Sequence, residues 1–164
     1  MRNPQVIFSL VLFLATLPCS RIAPALAAPP PSNEVAVIAG PDVSEDKLSL
    51  PELRRIVLGD SQFWKSGKRV TLLIRAPQAR ERDVVLKKVC GMSESQFRQH
   101  WIAKVFRAEA PSGPKVVNSN QTCLDLVPSL PGSLAFVDAT EVPKNSKRLK
   151  VDGKSPGEKG YPLQ

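Results

Sequence analysis

The stretch Leu48–Arg75, LSLPELRRIVLGDSQFWKSGKRVTLLIR, constrains the fold more than any other part of the chain. It predicts, in order, a capped amphipathic helix, a glycine stop, an aromatic turn and a strand that ends on an arginine. Ser49 is placed to cap the helix, Pro51 is tolerated in a first turn, and Glu52 suits the positive end of the helix dipole. Leu50, Leu53, Ile56 and Val57 share one stripe, which leaves Arg54 and Arg55 for water or a partner, and Gly59 ends the helix. Phe63 and Trp64, in the Asp60–Lys68 turn, are expected to cover the sheet edge as core aromatics. The nearly unbroken apolar run Val70–Ile74 is the pattern of a strand buried on both faces, which occurs when helices cover both sides of a sheet.

The rest of the chain alternates in the same way. Val35–Ala39 reads as a buried strand stopped by Gly40-Pro41. Pro77 forces a loop after Arg75, and a helix is expected from about Arg80 to Cys90, ended by Gly91. Ser93 and Gln96 form a capping box before a helix reaching about Phe106, with Phe97, Trp101 and Val105 as its apolar stripe and His100 beside it as a partial-core residue. Gly113–Val117 is a short strand, and Asn118 or Ser119 caps a helix running through Val127. Ser133–Val137 and Arg148–Val151 are further strands. Residues 152–164, rich in Gly, Pro and Lys, are expected to form a flexible basic tail. The fold class is therefore α/β: one three-layer lobe with a mainly parallel sheet flanked by helices.

The N-terminal segment reads as an address. Arg2 precedes the uncharged apolar run Val6–Leu17, too short for a comfortable membrane span, and Ala25-Leu26-Ala27 supplies a small-residue cleavage site. A signal peptide over residues 1–27 implies a periplasmic or secreted protein with no membrane span after cleavage. A proline-rich linker, 28–33, then leads into an α/β domain over 34–151. Cleavage leaves 137 residues, enough for one domain, and lowers the net charge from +8 to +6. That excess favours anionic partners, but the basic residues are scattered, and those crowding the C-terminal stretch have no interleaved aromatics to stack on bases. Nucleic acid is therefore not the expected partner.

In an oxidising compartment Cys90 and Cys123 could form one disulfide, whereas both positions also suit buried thiols. The two cysteines that remain once the leader carries off Cys19, together with the single His100, make no metal-type spacing, and no cofactor motif, catalytic triad or carboxylate pair is present. A non-enzymatic protein without cofactor is expected. The site chemistry that does stand out is the strand, loop and helix start after Arg75. Unpaired amides at a helix N-terminus attract oxyanions, and here Arg75, Arg80 and Arg82 flank one. Glu81 and Asp83 occupy the same first turn and would repel an anion, or take its place.

The run LSLPELRRIVLGDSQFW, followed by VTLLIR, a polar loop, a Trp-bearing helix and LPGSLAFV, resembles the phosphate-type substrate-binding proteins of ABC importers. Corresponding stretches of that family look like LSL.ELA.IFLG…W, a strand leading into an R.DGSGT loop, and PGAIGYV. The similarity spans Val35 to Val151. It implies a type-2 periplasmic binding fold, shortened to one lobe. It further implies a small inorganic or organic anion as ligand, and ABC transporter membrane subunits or a second copy of the chain as partners. Arg75 matches the family's loop arginine. Pro77, Ala79, Arg80 and Glu81 stand where the family carries aspartate, serine, glycine and threonine, so two hydroxyl donors are lost and a carboxylate is gained. Each lost charge-assisted hydrogen bond would cost ~1.5 to 3 kcal/mol. Two functions follow from the resemblance: oxyanion capture, or a non-catalytic interaction module that kept the fold and lost the pocket.

Overall fold

A computed structural model describes residues 33–164. The leader, the cleavage after Ala27 and all but the last residue of the linker lie outside the described residues. The elements are β1 (Val35–Ala39), β2 (Lys47–Leu48), α1 (Leu50–Val57), β3 (Thr71–Arg75), α2 (Arg80–Val84), α3 (Glu94–Phe106), β4 (Lys115–Val117), α4 (Asn120–Leu126), β5 (Ser133–Asp138) and β6 (Arg148–Val151). α2 continues directly into π-helical turns over Val85–Cys90 before Gly91 ends it.

The strands form one six-stranded sheet in the order β2-β6-β1-β5-β3-β4. β3 runs parallel to β4 and β5, and β2 parallel to β6, while β1 is antiparallel to β5 and β6. Alternation along each strand divides the core in two. Val35, Val37, Leu72, Ile74, Leu134 and Phe136 face one way and meet α1, the π-helical turns and α3. Ala36, Ile38, Leu73, Ala135 and Val137 face the other way and meet Cys123, Leu124 and Val127 on and just after α4. β1 and the first five residues of β5 are fully buried, which explains why both read as continuous apolar runs.

Local signals set the helix starts. Ser49 and Glu52 make the reciprocal capping box of α1, and Ser93 and Gln96 that of α3. Gly59 is left-handed at φ +71°, and a Cβ there would come within 2.5 Å of the Trp101 ring, so the helix stop also seats α3. α3 is held further by His100 Nε2 against Leu58 O at 2.9 Å and by the buried Lys104 paired with Asp60.

Four expectations need correcting. The stripe Phe97-Trp101-Val105 does not hold to its end. Phe97 is buried and Trp101 partly so, but Lys104 takes the next inward position, and Val105, Phe106 and Ile102 are exposed. The aromatic pair splits: Trp64 is buried with its Nε1 donating to Gly132 O at 2.9 Å, whereas Phe63 is exposed beneath Arg69. Cys90 and Cys123 are free thiols in the two separate cores, with the sheet between them, so the disulfide geometry is absent. Finally, the segment 152–164 returns to the core. Tyr161 and Leu163 are buried, Tyr161 Oη donates to Val35 O at 2.8 Å, and Val35 N donates to Leu163 O at 2.8 Å. Burial of two large side chains, stabilising by ~1.5 to 3 kcal/mol each, outweighs the local Gly, Pro and Lys signal.

Candidate functional site

Parallel strands β3, β4 and β5 end together at one rim of the sheet, the place where α/β folds bind ligands. Arg75 closes β3, Asp138 closes β5, and the loop after β4 delivers Ser119 and Asn120 to the start of α4. α2 begins in the same crevice with Arg80, Glu81 and Arg82. The three arginines expected around an oxyanion are thus gathered at one end of the lobe, and each is taken by a group of the protein itself.

Glu81 is central. It is buried, its Oε2 accepts from Arg75 Nε at 3.4 Å, and its Oε1 accepts from Asn120 Nδ2 at 3.0 Å. Its own backbone N–H, in the first turn of α2, also favours the charged carboxylate. Burial pushes this carboxyl up, but the Asn120 amide, that backbone N–H and Arg75 together outweigh burial and hold it below its ordinary value of 4.5. A strand-end arginine, a helix-turn amide and a side-chain amide from the neighbouring helix are the donors an oxyanion would use. The Glu81 carboxylate takes the arginine and the side-chain amide and sits beside the helix-turn amide.

Arg80 only skirts that centre, its Nη2 lying 4.0 Å from Glu81 Oε1, and its stronger partners, like those of Arg82, lie outside it. Arg80 donates from Nη1 to Asn33 O at 2.6 Å and pairs through Nη2 with Asp138. Burial raises the Asp138 carboxyl, but the Thr140 hydroxyl and amide and Arg80 bring it below the usual aspartate range. Arg82 is buried and grips Glu94 with a fork, Nε to Oε2 at 2.7 Å and Nη2 to Oε1 at 2.8 Å, while Nη1 donates to Arg75 O at 2.9 Å. Its guanidinium carbon also lies 5.3 Å from the Phe97 ring centroid. Arg82 therefore ties α3 and the end of β3 together. Two polar atoms at the centre keep spare capacity, since Arg75 Nη1 and Asn120 Oδ1 are buried without a hydrogen-bond partner.

Sequence reasoning found Arg75 and Glu81 and missed Asn120, Asp138 and Glu94. Asn120 carries a weak signal, because it opens a helix after a parallel strand adjacent to β3. Asp138 and Glu94 carry none, because only the sheet order and the docking of α3 bring them to arginines. Among the described residues no cluster of histidine, cysteine and carboxylate could hold a metal ion, and no helix is long and apolar enough to cross a membrane.

No protein-family model and no curated protein matches the chain. Solved structures do. The chain is similar to a phosphate ABC transporter substrate-binding protein of Clostridium perfringens crystallised with bound phosphate, with 17% identity and a TM-score of 0.59 over 73% of this chain and 45% of that one. It is similar to PstS of Borrelia burgdorferi, with 15% identity and a TM-score of 0.63 over 79% of this chain and 53% of that one. An ABC-type phosphate transport receptor of Vibrio cholerae gives 16% identity and a TM-score of 0.60 over 75% and 48%. The chain spans about half the length of these proteins. At these identities the likeness concerns the fold alone: a six-stranded α/β lobe similar to part of these substrate-binding proteins.

Proposed function

We propose that this chain is a non-catalytic binding module, exported to the periplasm, that keeps one lobe of the substrate-binding fold and engages a partner through its surface rather than enclosing phosphate. The observation that carries this reading is the Glu81 carboxylate, buried at the rim of the sheet between Arg75 and Asn120. A phosphate entering there would have to displace a carboxylate that already takes the strand-end arginine and the side-chain amide. It would bring a second set of negative charges beside the first. Export is supported by the apolar run Val6–Leu17 ahead of Ala25-Leu26-Ala27.

Isothermal titration of the protein with phosphate, sulfate and a simple phosphonate tests the reading. No heat of binding is expected up to millimolar anion. Micromolar phosphate affinity in the unaltered chain would overturn it in favour of a second reading, oxyanion capture for an ABC importer. That second reading has one observation on its side, the unpartnered Arg75 Nη1, together with the phosphate bound in a solved protein of similar fold.

A further inference from the structure

Far from the Glu81 rim, at the opposite ends of β3 and β4, lies a groove that the reading above leaves unused. Its walls are the turn after α1, the first residues of β3, Trp101 of α3, and the segment Ala110–Lys115 that leads into β4. Three features set it apart from ordinary surface. First, its lining contains two cations and no carboxylate. Arg69 donates only to Gln62 Oε1, at 3.0 Å, and lies over the Phe63 ring, while Lys115 has no carboxylate partner among the described residues. The acids that adjoin lining residues in the chain, Asp60 and Glu109, are paired with Lys104 and Arg107.

Second, the large apolar side chains left exposed among the described residues are Phe63, Ile102, Val105, Phe106 and Val116, at 56, 63, 39, 90 and 56%. None of the five lines the groove itself, but Phe63, Ile102 and Val116 are chain neighbours of the lining residues Gln62, Trp101 and Lys115, and Val105 and Phe106 follow on the same helix as Trp101. Helical spacing puts Ile102, Val105 and Phe106 together with Arg98 on the outward face of α3, opposite the buried Phe97 and Lys104. An apolar cluster of this kind, rimmed by charge, marks an interaction surface. Third, the cavity at the centre is about 140 Å³, below the roughly 300 to 1,000 Å³ of small-molecule sites, so it suits one anchoring side chain. Trp101, in its wall, carries a buried indole N–H without a partner.

Resting on the reading of this chain as an interaction module, we infer that the groove docks an acidic segment of a partner protein, with one apolar side chain seated against Trp101 and flanking carboxylates on Arg69 and Lys115. Charge selects this occupant. A second copy of the exported chain, itself at +6, would oppose like charges across the same face. A bilayer would engage the outward face of α3 and leave the recessed wall at Gln62 and Trp101 empty.

The test is an NMR titration of the full chain, labelled with nitrogen-15, using the peptide acetyl-DEFDE-amide as probe. In parallel runs acetyl-KKFKK-amide, phosphatidylglycerol vesicles and inorganic phosphate replace it, and sedimentation reports the oligomeric state. The expected result is saturable shifts at Gln62, Arg69, Lys115 and the Trp101 indole with the acidic peptide. These should weaken at least tenfold for the basic peptide and for the Arg69→Glu, Lys115→Glu double variant, whose exposed positions leave the fold intact by circular dichroism. The inference is overturned if the acidic peptide moves none of these signals or if the basic peptide binds as well. It is equally overturned if vesicles broaden Ile102 and Phe106 without involving the groove, or if the face closes a homodimer. Phosphate shifts centred on Arg75 and Asn120 would instead overturn the module reading, whatever the peptide does, so the two failures stay distinct.

Discussion

Replacing Glu81 by Gln tests the filled-cradle argument directly, because it keeps the shape and removes the charge. The carboxylate accepts from Arg75 at 3.4 Å and Asn120 at 3.0 Å, and the side chains of Arg75 and Glu81 are only 13 and 8% exposed. Losing one partner of a buried ion pair costs ~3 to 5 kcal/mol. Gln keeps one acceptor oxygen and the Arg75 contact is long, so the expected loss at pH 7 is smaller, about 2 to 3 kcal/mol. For a domain of this size that corresponds to a fall in Tm of roughly 6 to 12 °C. Urea unfolding followed by the fluorescence of Trp64 and Trp101 reads it.

The pH dependence supplies an internal control. The folded carboxyl lies below its ordinary 4.5, so the stability it contributes is fully present above that value and is lost as pH falls through the folded pKa. The gap between the unaltered chain and Glu81→Gln should therefore close as the pH is lowered below 4.5. Phosphate adds a third arm. The vacated charge lets the anion pair with Arg75, so phosphate at a hundredfold excess over its Kd should return ~2.7 kcal/mol to the variant and nothing to the unaltered chain. Equal stabilities at pH 7, or a gap that persists unchanged at acid pH, would refute the role of Glu81 as the internal anion.

Other outcomes follow from the packing. Leu163→Ala should cost ~2 to 5 kcal/mol, and Tyr161→Phe about 1 kcal/mol for the lost bond to Val35 O, both by urea unfolding; a cost near zero for Leu163→Ala would mean the last residues are not core. Gly132→Ala should fail to fold stably. Its φ is +63° and the new Cβ would lie 2.0 Å from Arg69 O, a backbone atom that cannot turn aside, so normal soluble yield of this variant would refute the assignment. Burial pushes the thiols of Cys90 and Cys123 up to about 11, so a thiol reagent at pH 8 should label neither until urea unfolds the chain.

Much of the fold was legible because it rests on local chemistry. The capping pairs Ser49–Glu52 and Ser93–Gln96, the stop at Gly59 and the apolar runs of β1, β3 and β5 each act within a few residues. Where the periodic reading failed, a distant partner had intervened. Lys104 is drawn inward by Asp60 from another element, which leaves Val105 in solvent. Tyr161 and Leu163 are held by β1, more than a hundred residues earlier in the chain, and nothing in their own surroundings announces it.

The same division runs through the candidate site. By itself the sequence determined that Arg75 closes a buried strand, that Arg80, Glu81 and Arg82 open the next helix, and that Glu81 puts a carboxylate in its first turn. These are facts of order and residue type. Only the tertiary structure decided that Glu81 points at Arg75 and meets Asn120 there, that Arg80 goes to Asp138, and that Arg82 goes to Glu94. Charge pairing is settled by distance, and these distances depend on strand order and helix docking, which bring together groups that the chain keeps far apart.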